Sequence, residues 1–96
     1  NMNLSVIQEK ISPIMDKYGV KKASVFGSIS RGEDSPESDV DILIEIGKPM
    51  GLFIYLRMVG ELEESLQRKV DVITNKSVNK FIEPYILPEL KSVYER

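Results

Sequence analysis

Apolar residues recur along the chain with two different periods. Over residues 4–18 they have helical spacing, which predicts an amphipathic first helix that ends at Gly19. Pro13 lies inside this helix and is expected either to kink it or to restart it after Ser12. A second helical pattern over residues 52 to about 67 predicts another helix.

Three other stretches, residues 22–26, 38–46 and 69–74, have the strand-like character and alternation that predict β-strands. The second stretch is the most regular, because apolar side chains occupy every other position and form one continuous face. Its apolar face consists of Val40, Ile42, Ile44 and Ile46, and its opposite face of Asp39, Asp41, Leu43 and Glu45.

The remaining segments connect these elements. Residues 33–37 are polar with a central proline and are predicted to form a surface loop. Residues 77–96 have a helical pattern interrupted by Pro84 and Pro88, so one or two short helices are expected there. The order of elements predicts one α/β or α+β domain over residues 1–96, with a small sheet backed by helices.

Composition limits the chemistry that this domain can perform. The chain has 13 Lys and Arg against 15 Asp and Glu, a net charge of −2, and 42% hydrophobic residues, as in ordinary globular domains. The absence of Cys excludes disulfides and thiolate sites, and the absence of His removes the commonest general base. Any catalysis must therefore use carboxylates, hydroxyls and hard cations.

Charge and hydropathy also limit the partners and the cellular location that we expect for the protein. The slightly acidic balance argues against a domain held on nucleic acid by phosphate neutralisation alone. Apolar runs are far shorter than the roughly 20 residues that span a bilayer, and no secretory signal pattern is visible. We therefore expect a cytoplasmic protein that does not bind membranes.

Asp39 and Asp41 are the first candidates for chemistry. Two residues apart on a strand, their side chains share a face, with Cα atoms roughly 6.5 Å apart. Like charges repel at this distance, but Mg²⁺ or Mn²⁺ between them would relieve the repulsion, and two such ions can clamp the oxygens of a phosphoryl displacement. From Glu33 to Glu45 there are six acids and no Lys or Arg. A solvated, exposed strand face is the alternative.

Asp71 is a second candidate, because it is a lone acid in an otherwise apolar strand. If this strand neighbours the strand of Asp41, Asp71 could complete a site of three carboxylates. The alternative is a salt bridge with Arg68 or Lys69.

Gly27-Ser28 begins a turn between a strand and a short helix. Free amides and the Ser28 hydroxyl at such a turn can hold phosphate oxygens, although a tight turn with a capping serine accounts for the same residues. Arg31 could clamp a phosphate or pair with Glu33 or Asp34.

In order, the motifs Gly-Ser-Ile-Ser-Arg-Gly (27–32), Ser-Asp-Val-Asp (38–41) and Lys-Val-Asp-Val-Ile-Thr (69–74) resemble a minimal nucleotidyltransferase (MNT) domain of the DNA polymerase β-like superfamily. The resemblance covers about half the chain. Ser30 stands where the family usually has Ala, and Ile42 where it has Leu, and both changes are conservative. The resemblance implies a nucleotidyltransferase-like fold with a small mixed β-sheet backed by helices.

The resemblance also implies a role for each matching residue. Asp39 and Asp41 would bind two Mg²⁺ ions, with Mn²⁺ as an alternative, and Asp71 would ligate one ion and help activate the acceptor hydroxyl. The reaction would be in-line attack of an acceptor oxygen on the α-phosphorus of a nucleoside triphosphate, with release of pyrophosphate. The implied nucleotide-binding residues are Gly27, Ser28, Arg31 and Ser38.

A partner is implied as well. Members of the family typically neutralise a HEPN-domain toxin, in some cases by transferring AMP to a tyrosine, so we expect ATP as donor, a toxin tyrosine as acceptor and a role as antitoxin. A non-catalytic antitoxin that blocks its partner by binding is the main alternative, and a transferase acting on a small molecule or RNA is a third. Nucleotide base and homo-oligomerisation are left open.

The second helix is a candidate docking surface, because Phe53, Ile54 and Met58 lie off its main apolar stripe. The equally weighted alternative is burial against aromatic residues of the tail, Phe81, Tyr85 and Tyr94.

Overall fold

Two helices, α1 (Leu4–Lys17) and α2 (Leu52–Leu66), pack against one face of a four-stranded sheet. The computed structural model describes residues 2–96. The strand order is β3-β2-β1-β4, with β2 parallel to β3 and the other neighbours antiparallel, which confirms the predicted mixed sheet. The strands are β1 (Val20–Phe26), β2 (Val40–Ile46), β3 (Val70–Thr74) and β4 (Lys91–Glu95).

Helix α1 begins where Asn3 caps it, since the Asn3 side chain accepts a hydrogen bond from the Val6 amide at 2.9 Å. The helix is continuous through Pro13, so it does not restart there. Its buried stripe, whose spacing follows the helical period, is Ile7, Ile11 and Met15.

The alternation predicted for β2 is confirmed. Val40, Ile42 and Ile44 are fully buried against the helices, whereas Asp41 and Leu43 on the opposite face are partly exposed. The strand therefore separates an apolar core from a second, polar face of the sheet.

The helical prediction for the end of the chain is wrong in its last part. Residues Glu83–Ile86 form a short helix, α3, followed by a 3₁₀ turn at Leu87–Glu89, but Lys91–Glu95 is strand β4, paired with β1. Only Val93 of this edge strand is buried, so the alternation is too weak to be recognised beside two prolines.

The placement of Met58 off the core stripe is also wrong, because Met58 is fully buried. Met58, Leu62 and Leu66 are spaced four residues apart and share the face of α2 that meets the core. Phe53 is 84% exposed and Ile54 is 41% exposed, so the alternative of burial against the tail is wrong for these two residues, and their role as a docking surface stays a prediction. Neither α1 nor any other helix within residues 2–96 is long and apolar enough to cross a membrane.

Candidate active site

Strand register brings three carboxylates to one end of the sheet. Asp41 on β2 pairs with Phe26 on one side and with Asp71 of the parallel strand β3 on the other. Asp39 precedes the first residue of β2 and is exposed, as is Asp71, while Asp41 is half-buried. A site of three carboxylates required the strands of Asp41 and Asp71 to be neighbours, and they are.

These carboxylates are not neutralised by the protein. In residues 2–96, none of the ion pairs or side-chain hydrogen bonds involves the carboxylate of Asp39, Asp41 or Asp71. Burial raises the pKa of Asp41, and the negative charges of Asp71 and then Asp39 raise it further. The neighbouring charges thus oppose ionisation of Asp41, and a bound cation would relieve that opposition.

The Gly-Ser turn abuts this acidic group. Strand β1 ends at Phe26, and Gly27 adopts a left-handed φ of 76° at the start of the 3₁₀ turn Gly27–Ile29. A Cβ at position 27 would overlap the Asp41 carboxylate, so only glycine fits. The turn predicted to hold phosphates therefore lies directly beside the residue predicted to bind metal.

Arg31 is held by two carboxylates. Its Nε donates to Glu33 at 2.9 Å and its Nη1 to Glu89 at 2.7 Å. Of the alternatives considered from sequence, the structure contains the pairing with Glu33 and none with Asp34. The charge of Arg31 also acts to lower the pKa of Asp41, against the larger effect of burial.

Glu89 was not identified from the sequence, yet it ties the tail to the turn. Its Oε1 accepts the Gly27 amide at 3.0 Å, its carbonyl accepts the Ser30 hydroxyl, and the Arg31 guanidinium binds Oε2. The Arg31 hydrogen bond, followed by that of the Gly27 amide, lowers the pKa of Glu89. No local pattern reveals this role, because 62 positions separate Glu89 from Gly27.

Ser38 and the salt bridge proposed for Asp71 are placed differently. The Ser38 hydroxyl accepts the Ser35 amide at 2.8 Å, so it serves the loop that leads into β2. Arg68, considered as a partner of Asp71, instead pairs with Asp34 at 3.3 Å. Asp71 is consequently left without that partner.

The donor set fits a hard cation only in part. No group of three or more acidic side chains within residues 2–96 is already arranged to hold an ion. Carboxylate oxygens are nonetheless the ligands that Mg²⁺ and Mn²⁺ prefer, and Mg²⁺ is usually bound by one or two carboxylates together with substrate phosphates. Asp39, Asp41 and Asp71 fit such a shared site.

The family model for the nucleotidyltransferase domain matches residues 8–93. This chain belongs to that family. The nucleotidyltransferase domain is 45% identical, over 92 residues, to a Methanocaldococcus jannaschii protein named as a protein adenylyltransferase, covering 96% of this chain and 99% of the relative. It is 30% identical over 86 residues to the protein adenylyltransferase MntA of Thermococcus cleftensis, covering 90% of this chain and 87% of that protein.

Solved structures share the fold of this nucleotidyltransferase domain. A chain of a toxin–antitoxin crystal structure with AMP-PNP superposes with a TM-score of 0.78 at 19% identity, covering 93% of this chain and 73% of that one. A chain from a complex of a tri-AMPylated Shewanella oneidensis HEPN toxin with an MNT antitoxin gives 0.72 at 16% identity, covering 97% and 73%. At these identities the likeness establishes the fold, and the domain is an enzyme of the nucleotidyltransferase class by its family.

Proposed function

We propose that this nucleotidyltransferase domain is an antitoxin that transfers AMP from ATP to a tyrosine hydroxyl of a HEPN-domain toxin, in a reaction that requires Mg²⁺ or Mn²⁺. The observation that carries the proposal is the group of three carboxylates without a basic partner, beside a turn that only glycine can form. The relatives named as protein adenylyltransferases and the structural likeness to toxin–antitoxin complexes support the donor and the partner. We further propose that residues 1–96 act as one domain, in the cytoplasm.

Asp39 and Asp41 would hold the ions, and Asp71 would share one of them. Bound there, divalent ions would neutralise the developing charge on the phosphates and position them for displacement. Ser28 and the turn at Gly27, whose own amide donates to Glu89, would hold the β- and γ-phosphates beside Asp41. Arg31, through the guanidinium donors that Glu33 and Glu89 do not use, and Ser38 would complete the nucleotide site.

The transfer step exchanges one bond for another. The tyrosine oxygen forms a bond to the α-phosphorus, the bond from the α-phosphorus to the bridging oxygen breaks, and pyrophosphate leaves. Asp71, across from Asp41, would accept the proton of the hydroxyl. Positioning and charge stabilisation account for most of such catalysis, which suits a chain without His or Cys.

The test is incubation of the protein with α-labelled ATP, Mg²⁺ and a HEPN toxin encoded beside it. We expect label on the toxin, lost in Asp39→Asn/Asp41→Asn and on chelation. It should be retained in Asp16→Asn, because Asp16 is an exposed acid of α1 that contacts Arg96. Mass spectrometry of the labelled toxin should locate AMP on a tyrosine. Full toxin neutralisation by Asp39→Asn/Asp41→Asn would contradict the enzymatic account and favour an antitoxin that acts by binding alone.

A further inference from the structure

Arg68, in the connection between α2 and β3, forms the most buried ion pair within residues 2–96, with Asp34 of the loop before β2. Arg68 Nη2 lies 3.3 Å from Asp34 Oδ2, and the two side chains are 9% and 6% exposed. In the other ion pairs of residues 2–96, both side chains are at least 28% exposed. Arg68 follows Gln67, whose left-handed φ of 54° ends the helix and redirects the chain.

This connection brackets Asp39 on both sides. Arg68 Nη1 donates to the carbonyl of Ser38, the residue before Asp39, at 3.5 Å. The amide of Val40, the residue after Asp39, donates to the carbonyl of Lys69 at 2.9 Å. The backbone around one candidate metal ligand is therefore held by two consecutive residues of a distant segment.

The same connection leads into the strand of the other candidate ligand. Asp71 is two residues beyond Lys69, and the Val70 amide between them donates to Glu63 of α2 at 3.0 Å. Arg68 and Lys69 thus lie between the backbone of Asp39 and the strand of Asp71. A shift of this connection would change the distance between the two carboxylates.

Asp34 extends the contact to the start of the loop that carries Asp39. Within that loop the Ser38 amide donates to the Ser35 carbonyl at 3.0 Å, and the Ser38 hydroxyl binds Ser35 in return. Through Asp34 and Ser38, the Arg68 guanidinium contacts the beginning and the end of the loop.

Net stability is a weak reason for such a pair. Burying two charges costs solvation that their attraction often fails to recover, and apolar replacements can be equally stable. The planar guanidinium offers donors at fixed angles, which suits it to hold two acceptors in a defined relative position.

We propose that Arg68, paired with Asp34, is a positioning residue that fixes the backbone around Asp39 and hence the spacing of the Asp39 and Asp71 carboxylates. The inference rests on the proposed function, since it concerns the same metal-dependent site. It assigns no contact between Arg68 and the substrate.

The experiment measures Mn²⁺ binding to the full chain by electron paramagnetic resonance, without ATP or toxin. The main variant is Arg68→Gln/Asp34→Asn, which removes one charge of each sign and keeps the net charge. We expect its Mn²⁺ affinity to fall about tenfold or more, as when partners that orient metal ligands are lost. Lys69→Gln is the control for loss of a nearby cation, because Lys69 is exposed and contributes only its backbone carbonyl, and it should not weaken Mn²⁺ binding.

A variant that only removed the charge of Arg68 would be expected to bind Mn²⁺ more tightly, which is the opposite of the effect expected from lost positioning. Removal of a cation near an acidic site strengthens binding of Mn²⁺, whereas loss of positioning weakens it. Arg68→Lys keeps the charge without the planar fork, so weaker binding by this variant supports positioning. It also serves as the second variant if the double variant does not fold, as judged by its thermal midpoint.

Turnover gives an independent readout. In Arg68→Lys, the Mn²⁺ concentration for half-maximal transfer should rise, while kcat at saturating Mn²⁺ returns towards the wild-type value. Unchanged or tighter Mn²⁺ binding by both folded variants would overturn the inference.

The two proposals fail separately. If wild-type protein binds Mn²⁺ in a manner abolished by Asp41→Asn but transfers no AMP, the proposed function fails and the effect of Arg68 is still measured. If wild-type protein shows no binding that depends on Asp41, there is no ion for Arg68 to position and the inference is overturned.

Discussion

Two groups of acids in this protein differ in what lies beside them. Members of the first group each contact a Lys or Arg, at distances between 2.7 and 3.3 Å. They hold the loop before β2, the contact between α1 and α2, and the Gly-Ser turn. This group comprises Asp34, Glu61 and Glu89.

Members of the second group gather at the end of β2 and β3, where none forms an ion pair within residues 2–96. Two of them, Asp41 and Asp71, are directly opposite each other across parallel strands, an arrangement that disfavours folding. The fold thus pairs the acids of the first group with a cation and leaves the proposed metal ligands of the second group without one. This second group comprises Asp39, Asp41 and Asp71.

The largest expected effect is on the rate of AMP transfer when one acid of each group is replaced by its amide. Asp41→Asn should reduce AMP transfer on the order of 10³-fold, because preorganised electrostatic groups supply most of such catalysis. Glu61→Gln removes an acid of the first group and should leave the transfer rate unchanged. Transfer rates measured with α-labelled ATP at saturating Mg²⁺ test this prediction. Equal losses of rate in the two variants would contradict the distinction between the two groups.

The next effect concerns a broken pair in the first group. Arg68→Met alone leaves Asp34 buried without its cation, so the free energy of unfolding should fall by about 3 kcal/mol. Adding Asp34→Asn should recover most of that loss, since the uncompensated charge is removed as well. Urea denaturation of the three proteins tests this, and a single variant as stable as the double would contradict it.

A smaller effect of opposite sign is expected in the second group. Without metal at pH 7, Asp41→Asn should raise the free energy of unfolding by no more than about 1 kcal/mol, because it relieves a solvent-screened repulsion. The pKa of Asp41 is raised in the folded chain, so its ionisation destabilises the fold as pH rises. The variant's advantage should therefore vanish as pH falls below the ordinary value of 3.8.

Mg²⁺ should distinguish the wild-type protein from Asp41→Asn. At pH 7 the ion should stabilise the wild-type protein against thermal unfolding and have no effect on Asp41→Asn, since only the wild type retains the full ligand set. Equal stabilisation of both proteins would place the ion elsewhere.

The smallest effect concerns a surface pair. Hydrogen bonds from Tyr18 and Lys17 lower the pKa of Glu61, so this group stabilises the fold above its ordinary value of 4.5 and the contribution is lost on acidification. Glu61→Gln should lower the thermal midpoint slightly at pH 7 and have no effect well below pH 4. A difference that grows on acidification would contradict this account.

The sequence predicted the elements that are periodic, and it suggested the candidate site residues that lie close together in the chain. The alternation of β2 predicted its buried face, and Asp39, just before the strand, lies close enough to Asp41 for its charge to raise the pKa of Asp41. The position of Asp71 opposite Asp41 could be stated only conditionally, because strand order is a property of the whole fold.

Contacts between distant segments could not be predicted. Glu89 reaches Gly27 and Arg31 from the tail, and Arg68 reaches Asp34 across 34 positions. Each is a single charged residue in an irregular segment, where neither period nor motif distinguishes it from a solvated surface residue.

The contacts of Glu89 with Gly27 and Arg31 can form only late in synthesis of the described residues. The contact with Gly27 spans 62 positions, so at translation rates of about 5–20 residues per second it waits roughly 3–12 s after that glycine is made. A nascent chain on the ribosome therefore carries all its aspartates before the turn beside them is anchored. The turn of the candidate nucleotide site is therefore anchored by a segment that emerges after all three of its motifs, rather than in the order in which those motifs are translated.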